Sequence, residues 1–310
     1  TGEFRLHPFD YADAGRFFPN YDPVDRLRAY GVFGGMPAYL AACDPHRSLA
    51  DNIQRRILEP DAYLRSEPLY LLAQERTVTQ PAAYLSILRA IADGQTQPNH
   101  IAQAAGFRSP ADIAPHLQRL QEFRLIERIV PITAEPTSRM SRYVIADPFL
   151  AFWFRFIQPA DALLQRGLTA PVLADILDGP EGLDRFFSRA QGAWERACAD
   201  YLWRALRIGK LGATRFDRLG PWWQGRGATE SAELDQVGLL RGRVSLVASC
   251  KWRNEWAKPG DLNDLRRTAA LVDAPHETRY VIFSRSGFDP SLVSIAQIEQ
   301  VVLVDPDQMF

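Results

Sequence analysis

The chain has 310 residues, 46% of them hydrophobic and 24% charged, with a net charge of −1. That length leaves room for two or three domains, each with its own core, and the composition is ordinary for a soluble globular protein. No run of 18 or more apolar residues offers a membrane span. The N-terminus, TGEFRLHPFD, lacks both a methionine and a signal peptide's apolar stretch, and reads as beginning inside a longer protein. Three widely spaced cysteines, Cys43, Cys198 and Cys250, point away from a disulfide scaffold and toward a reducing, cytoplasmic compartment. None has the spacing of a zinc site. Two segments are mildly basic: residues 76–155 with 9 basic and 6 acidic side chains, and residues 185–305 with 18 and 14. Both suit a polyanionic partner, although the excess is far below that of a dedicated nucleic-acid protein.

In chain order, residues 1–75 open with a strand at 3–6 and continue as helices centred on 26–30, 36–42 and 48–58. The Gly34-Gly35-Met36-Pro37 break separates the first two. Residues 76–158 begin with apolar positions at Tyr84, Leu85, Ile87, Leu88 and Ile91, a helical period. A short helix at 99–105 stops at Gly106. A third has Ser109 as N-cap, Pro110 at its first position and Asp112 in its first turn, and runs to about residue 122. Strands at 125–132 and 142–146 follow, joined by a polar loop. Three helices and a two-stranded wing make a winged helix-turn-helix. Its third helix presents Arg108, His116, Gln118 and Arg119, and its wing Arg139 and Arg142. These are candidate nucleic-acid contacts; the competing reading is a structural joint with a solvated face. The aromatic run at 147–159 reads as a buried helix, and the acidic segment 159–184 as a linker.

Residues 185–310 read as one α/β unit with a mixed sheet. A helix at 183–206 carries Glu195, and a strand lies at 220–223. The stretch 231–252, SAELDQVGLLRGRVSLVASCKW, forms a hairpin turning at Arg241-Gly242-Arg243. Alternation puts Glu233 with Asp235, and Ser249 with Lys251, while Leu246, Ala248, Cys250 and Trp252 take the opposite face. A carboxylate and a lysine on neighbouring strands suit a Mg²⁺- or Mn²⁺-dependent phosphodiesterase. Arg241 and Arg243 at the turn are further candidate nucleic-acid contacts. A helix at 260–272 and strands at 279–284 and 301–304 complete the unit.

The order Glu195, Glu233-Leu234-Asp235, Ser249-Cys250-Lys251-Trp252 and Phe283-Ser284-Arg285-Ser286-Gly287-Phe288 resembles the C-terminal nuclease-like domain of archaeal-type AAA ATPases, itself similar to the PD-(D/E)xK restriction-endonuclease fold. Upstream, Gly34-Gly35-Met36-Pro37-Ala38-Tyr39-Leu40 and Asp147-Pro148-Phe149-Leu150-Ala151-Phe152-Trp153 are similar to that family's lid and post-winged-helix motifs. The resemblance implies a multidomain α+β chain: a helical lid-like segment ending the ATPase module (1–75), a winged helix-turn-helix (76–158), a linker (159–184) and a restriction-endonuclease-like domain (185–310). It implies an upstream P-loop, since no G-x-x-x-x-G-K-[ST] occurs here, so ATP would bind only through that upstream domain.

Carried over by the same resemblance, Glu195 matches the helix glutamate, Asp235 the metal-binding aspartate and Lys251 the catalytic lysine. Ser249 stands where the pattern has a carboxylate, and Glu233 is the residue placed to compensate. The implied partners are nucleic acid, DNA first, together with the upstream ATPase domain and a second copy of the chain. Two readings stay open: a metal-dependent nuclease with a degenerate site, or an inactive nuclease fold that binds DNA or assists assembly.

Overall fold

The computed structural model describes residues 7–74, 80–189, 192–224 and 232–310. The strand expected at 3–6, and the expected helical position Ala190 and hairpin start Ser231, lie outside them. Contacts divide the chain into two compact units, one of Thr1–Ile129 with Arg142–Phe186 and one of Val130–Ser141 with Phe187–Phe310. No helix among the described residues is long and apolar enough to cross a membrane.

The first unit is helical because its caps and apolar spacings agree. Asp22 caps Pro23–Phe33 by accepting the Asp25 N–H, with proline at the first turn, and Ser48 caps Leu49–Ile53 in the same way. Helices Pro81–Ala92, Pro98–Ala104 and Pro110–Glu122 follow, then strands β1 (Ile126–Ile129) and β2 (Arg142–Ile145), paired antiparallel with Ile126 opposite Ile145. The third of these helices starts as its sequence predicts, Asp112 accepting the N–H of Ser109 at 3.0 Å. The aromatic run is a helix, Pro148–Phe152 continued by a wide π-turn through Trp153–Ile157. Phe149, Phe152 and Phe154 are fully buried there, and the Trp153 indole donates to the Arg65 carbonyl at 2.8 Å.

Two expectations fail locally. The acidic segment read as a linker contains two helices, Gln158–Leu164 and Thr169–Asp178, which bury Leu164, Val172 and Ile176. The acidic composition concealed an apolar i, i+4 pair, Val172 with Ile176. The single helix expected over 183–206 is also two, Leu183–Phe187 and Ala193–Arg207, the second starting from Gly192 in extended conformation. Glycine is a poor helix interior and a tolerated N-cap, so the break falls there.

The second unit is built on five strands in the order β3 (Arg218–Trp223), β4 (Glu233–Leu240), β5 (Arg243–Lys251), β6 (Arg279–Ser284) and β7 (Val302–Val304). The first three are antiparallel and the last two run parallel to β5, giving the expected mixed sheet. Helix Ala193–Arg207 covers one face, where Trp194 and Tyr201 meet Phe283 edge-on. Helices Pro259–Ala269 and Pro290–Glu299 cover the other, and Leu262, Leu265, Leu292 and Ala296 pack with Val237, Val247 and Ile282. The Pro290–Glu299 helix had no counterpart in the sequence reading.

The edge strand β3 accommodates Pro221 at a bulge, where its missing N–H costs no ladder bond. Its carbonyl accepts the Ile132 N–H at 2.9 Å, and Arg218 donates to the Ile132 carbonyl at 2.9 Å. Ile132 is thus tied to β3 through both its backbone groups and, 6% exposed, enters the core. Ile132→Ala is expected to cost about 2–5 kcal/mol of unfolding free energy, read from denaturant titration of the chain; an unchanged midpoint would show that this segment does not hold the unit together.

Candidate functional site

The β4–β5 ladder runs from Leu240 opposite Arg243 to Gln236 opposite Ala248, and no further pair is formed toward the open end. There the Asp235 side chain replaces a backbone acceptor. Its Oδ2 takes the Cys250 N–H at 2.6 Å and the Ser249 hydroxyl at 3.4 Å. Alternation predicts this meeting of Asp235 with Ser249. Burial raises the Asp235 carboxyl above its ordinary range, while the Cys250 N–H and the Lys251 charge pull it down and Glu233 pushes it up again. Lys251 closes β5 opposite Ser284, the last residue of β6.

Both parallel strands therefore end at the same rim, where open α/β sheets hold ligands. The loops that leave it are cross-tied. The Arg285 N–H donates to the Lys251 carbonyl at 3.0 Å, and its guanidinium lies over the Trp252 ring, 5.4 Å from the centroid, and bonds Asn254. Ser286 donates to the Arg253 carbonyl at 2.6 Å, and Arg253 pairs with Asp261. Arg285, Arg253 and Asn254 were not chosen as site residues from sequence. The available signal was their position immediately after the two parallel strands.

Glu195 is 7% exposed in the first turn of helix Ala193–Arg207. The contact that locates it is its backbone carbonyl, which accepts Gln236 Nε2 at 3.3 Å. Gln236 shares a face with Ala248 and Cys250, so the Glu195 backbone lies on the side that helix Ala193–Arg207 covers, and the Glu195 and Asp235 charges both raise the Cys198 and Cys250 thiols. There the free Cys198 and Cys250 thiols lie side by side, and burial pushes the Cys198 thiol up to about 11. Glu233 is exposed and is close enough to raise Asp235. Among the described residues, no three His, Cys, Asp or Glu side chains cluster as a metal ion requires.

Other candidates disperse. Arg241 and Arg243 lie at the turn, six residues along the strands from Asp235 and Ser249, or about 20 Å at roughly 3.3 Å per residue. They cannot share a phosphate with Lys251. The His116 ring is half-buried against Tyr84 and Phe107, at 5.1 and 5.5 Å between centroids, with Nδ1 buried and unbonded. This corrects its reading as an outward contact: the ring is packed between aromatics. Arg119 pairs with Glu122 at 2.8 Å and lies over Phe123. Arg142 is half-buried on β2, whereas Arg108 and Arg139 are exposed.

The Asp235 carboxyl gives a pH test. Its folded-state value is raised, so the folded chain binds a proton more readily than the unfolded one above the ordinary 3.8. Its contribution to stability is thus fully present below 3.8 and lost as pH rises through the folded-state value. Asp235→Asn keeps an acceptor for the Cys250 N–H and removes the buried charge. The variant is expected to melt higher than wild type at pH 8, with the gain shrinking as pH falls toward 4. A gain that grows toward acid would contradict this account.

Residues 153–263, which include Asp235, Ser249 and Lys251, match the profile of a family described as archaeal and bacterial proteins of unknown function (DUF234). An uncharacterized protein of Methanocaldococcus jannaschii is 29% identical over 286 residues, covering 90% of this chain and 60% of that protein. The chain therefore spans about three-fifths of that relative's length. The crystal structure of protein VC1899 from Vibrio cholerae aligns over 80% of this chain and 54% of that one, at 11% identity and a TM-score of 0.30.

Proposed function

We propose that the chain is the nucleic-acid-binding C-terminal region of an AAA-type ATPase, and that its restriction-endonuclease-like unit grips a phosphate backbone at the Lys251 rim without cleaving it efficiently. The observation that carries this reading is the pairing of Asp235 with the Ser249 hydroxyl beside Lys251. The family resemblance of the motifs supports the fold and the ATPase connection.

The donor set does not fit a magnesium site. A hard cation needs anionic oxygens in near-octahedral array. Here one half-buried carboxylate spends Oδ2 on a backbone N–H, Ser249 offers a neutral hydroxyl, and among the described residues no three His, Cys, Asp or Glu side chains cluster to hold the ion. The residues present can still bind: Lys251 and Arg285 bring positive charge to the rim, and Trp256, 53% exposed on the same loop, offers a face on which a base can stack. In the first unit, a winged helix would add Arg108 as a backbone contact.

Ser249→Glu tests this reading directly. With Mn²⁺ and a labelled DNA duplex, wild type is expected to cut no faster than Lys251→Ala. Ser249→Glu is expected to gain at least tenfold, and the double variant Ser249→Glu/Lys251→Ala to lose that gain. Wild-type cleavage that disappears in Lys251→Ala would mean a working nuclease, and no gain in Ser249→Glu would mean that a missing carboxylate is not what limits the site.

A further inference from the structure

The opposite end of the same sheet holds a cleft that the Lys251 rim does not explain. It has a volume of about 610 Å³, within the range of small-ligand pockets. Its walls are the 213–215 loop, the start of β5 at Arg243–Ser245, and the approach to β6 at 275–279. Three arginines line it, Arg215, Arg243 and Arg279, against one carboxylate, the exposed Glu277.

Two of the guanidiniums are held by neutral oxygens. Arg215 donates to the Gly212 and Thr214 carbonyls at 2.7 and 2.9 Å. Arg279 donates to the Thr214 hydroxyl at 3.3 Å and to the Gln300 carbonyl. Among the described residues, none of the three has a carboxylate within ion-pairing distance. A cleft of about 440 Å³ in the first unit shows the contrast. Its Arg89 and Arg155 are neutralised by Asp93, and Arg155 also by Glu181. Carbonyl contacts fix a guanidinium's direction and leave its charge in place. Two such groups, with the exposed Arg243 on the same concave wall, present fixed positive charge to a planar, multiply charged oxyanion.

We propose that this cleft is a phosphate-binding pocket, separate from the Lys251 rim, and that its ligand is either a small phosphate compound or a phosphate of the nucleic acid. The inference rests on the cleft's own residues and not on the reading of the Asp235 site. Pyrophosphate, titrated calorimetrically into the full chain, is the probe. Saturable binding is expected in wild type, weakened at least tenfold in Arg243→Ala and in Arg215→Ala, and unchanged in Arg267→Ala, an exposed arginine paired with Asp264 outside both sites. The two arginines are exposed and lie outside the core, and unchanged melting curves check that the variants fold. No binding at millimolar pyrophosphate, binding equal to wild type in folded Arg243→Ala and Arg215→Ala, or an equal loss in Arg267→Ala would each overturn the proposal.

A competition arm separates the sources. Pyrophosphate that displaces a labelled single-stranded oligonucleotide in wild type but not in Arg243→Ala assigns the pocket to nucleic-acid phosphate. Pyrophosphate that binds without displacing it assigns the pocket to a free phosphate compound. Failure of this proposal leaves the cleavage result of Ser249→Glu untouched, so the two readings fall separately.

Discussion

The bond from the Cys250 N–H to Asp235 Oδ2, at 2.6 Å, is the constraint on which the candidate site depends. It lies where the β4–β5 ladder ends. An unpaired backbone N–H in a half-buried place is costly, and a carboxylate from the neighbouring strand satisfies it. The arrangement fixes Asp235 against β5, brings the Ser249 hydroxyl to the same oxygen, and leaves Lys251 at the rim. It also explains why Asp235 resists ionisation more than an ordinary aspartate: burial opposes the charge more strongly than one N–H and one lysine favour it. A carboxylate used this way is a structural tie first and a ligand second.

Much of the fold was legible in the sequence because short-range physics determines it. Period-two alternation placed β4 and β5, an apolar β-branched run placed β6, and the Ser109-Pro110-Asp112 cap placed a helix start that the structure repeats. The failures have equally physical causes. Acidic composition hid two helices whose few apolar residues are correctly spaced. Gly192 divided a helix that periodicity alone would join. His116 fits either face of a helix by type, and only the approach of Tyr84 and Phe107 shows that it turns inward.

The site was half legible for a related reason. Strand alternation says which residues share a face, so Asp235 with Ser249 was readable. It does not say which helix packs on the sheet, so the meeting of Glu195 and Asp235 beside the Cys198 and Cys250 thiols rested on the family resemblance alone. Nor does a run of basic residues in sequence reveal which end of a sheet each occupies. Arg241 and Arg243 are neighbours of Lys251 in the chain, yet they stand at the far end of the strands. The residues that do surround Lys251, Arg285 and Asn254 among them, come from loops joined to it only by the parallel order of β5 and β6.

The account's central claim is that the Lys251 rim faces a phosphate backbone. The most direct measurement is the affinity of the full chain for a labelled DNA duplex as a function of salt, for wild type and for Lys251→Ala. Counterion release makes the logarithm of affinity fall linearly with the logarithm of salt concentration. The account predicts a slope about one unit shallower in Lys251→Ala. Identical slopes and affinities for the two proteins, or wild-type binding indifferent to salt, would contradict it.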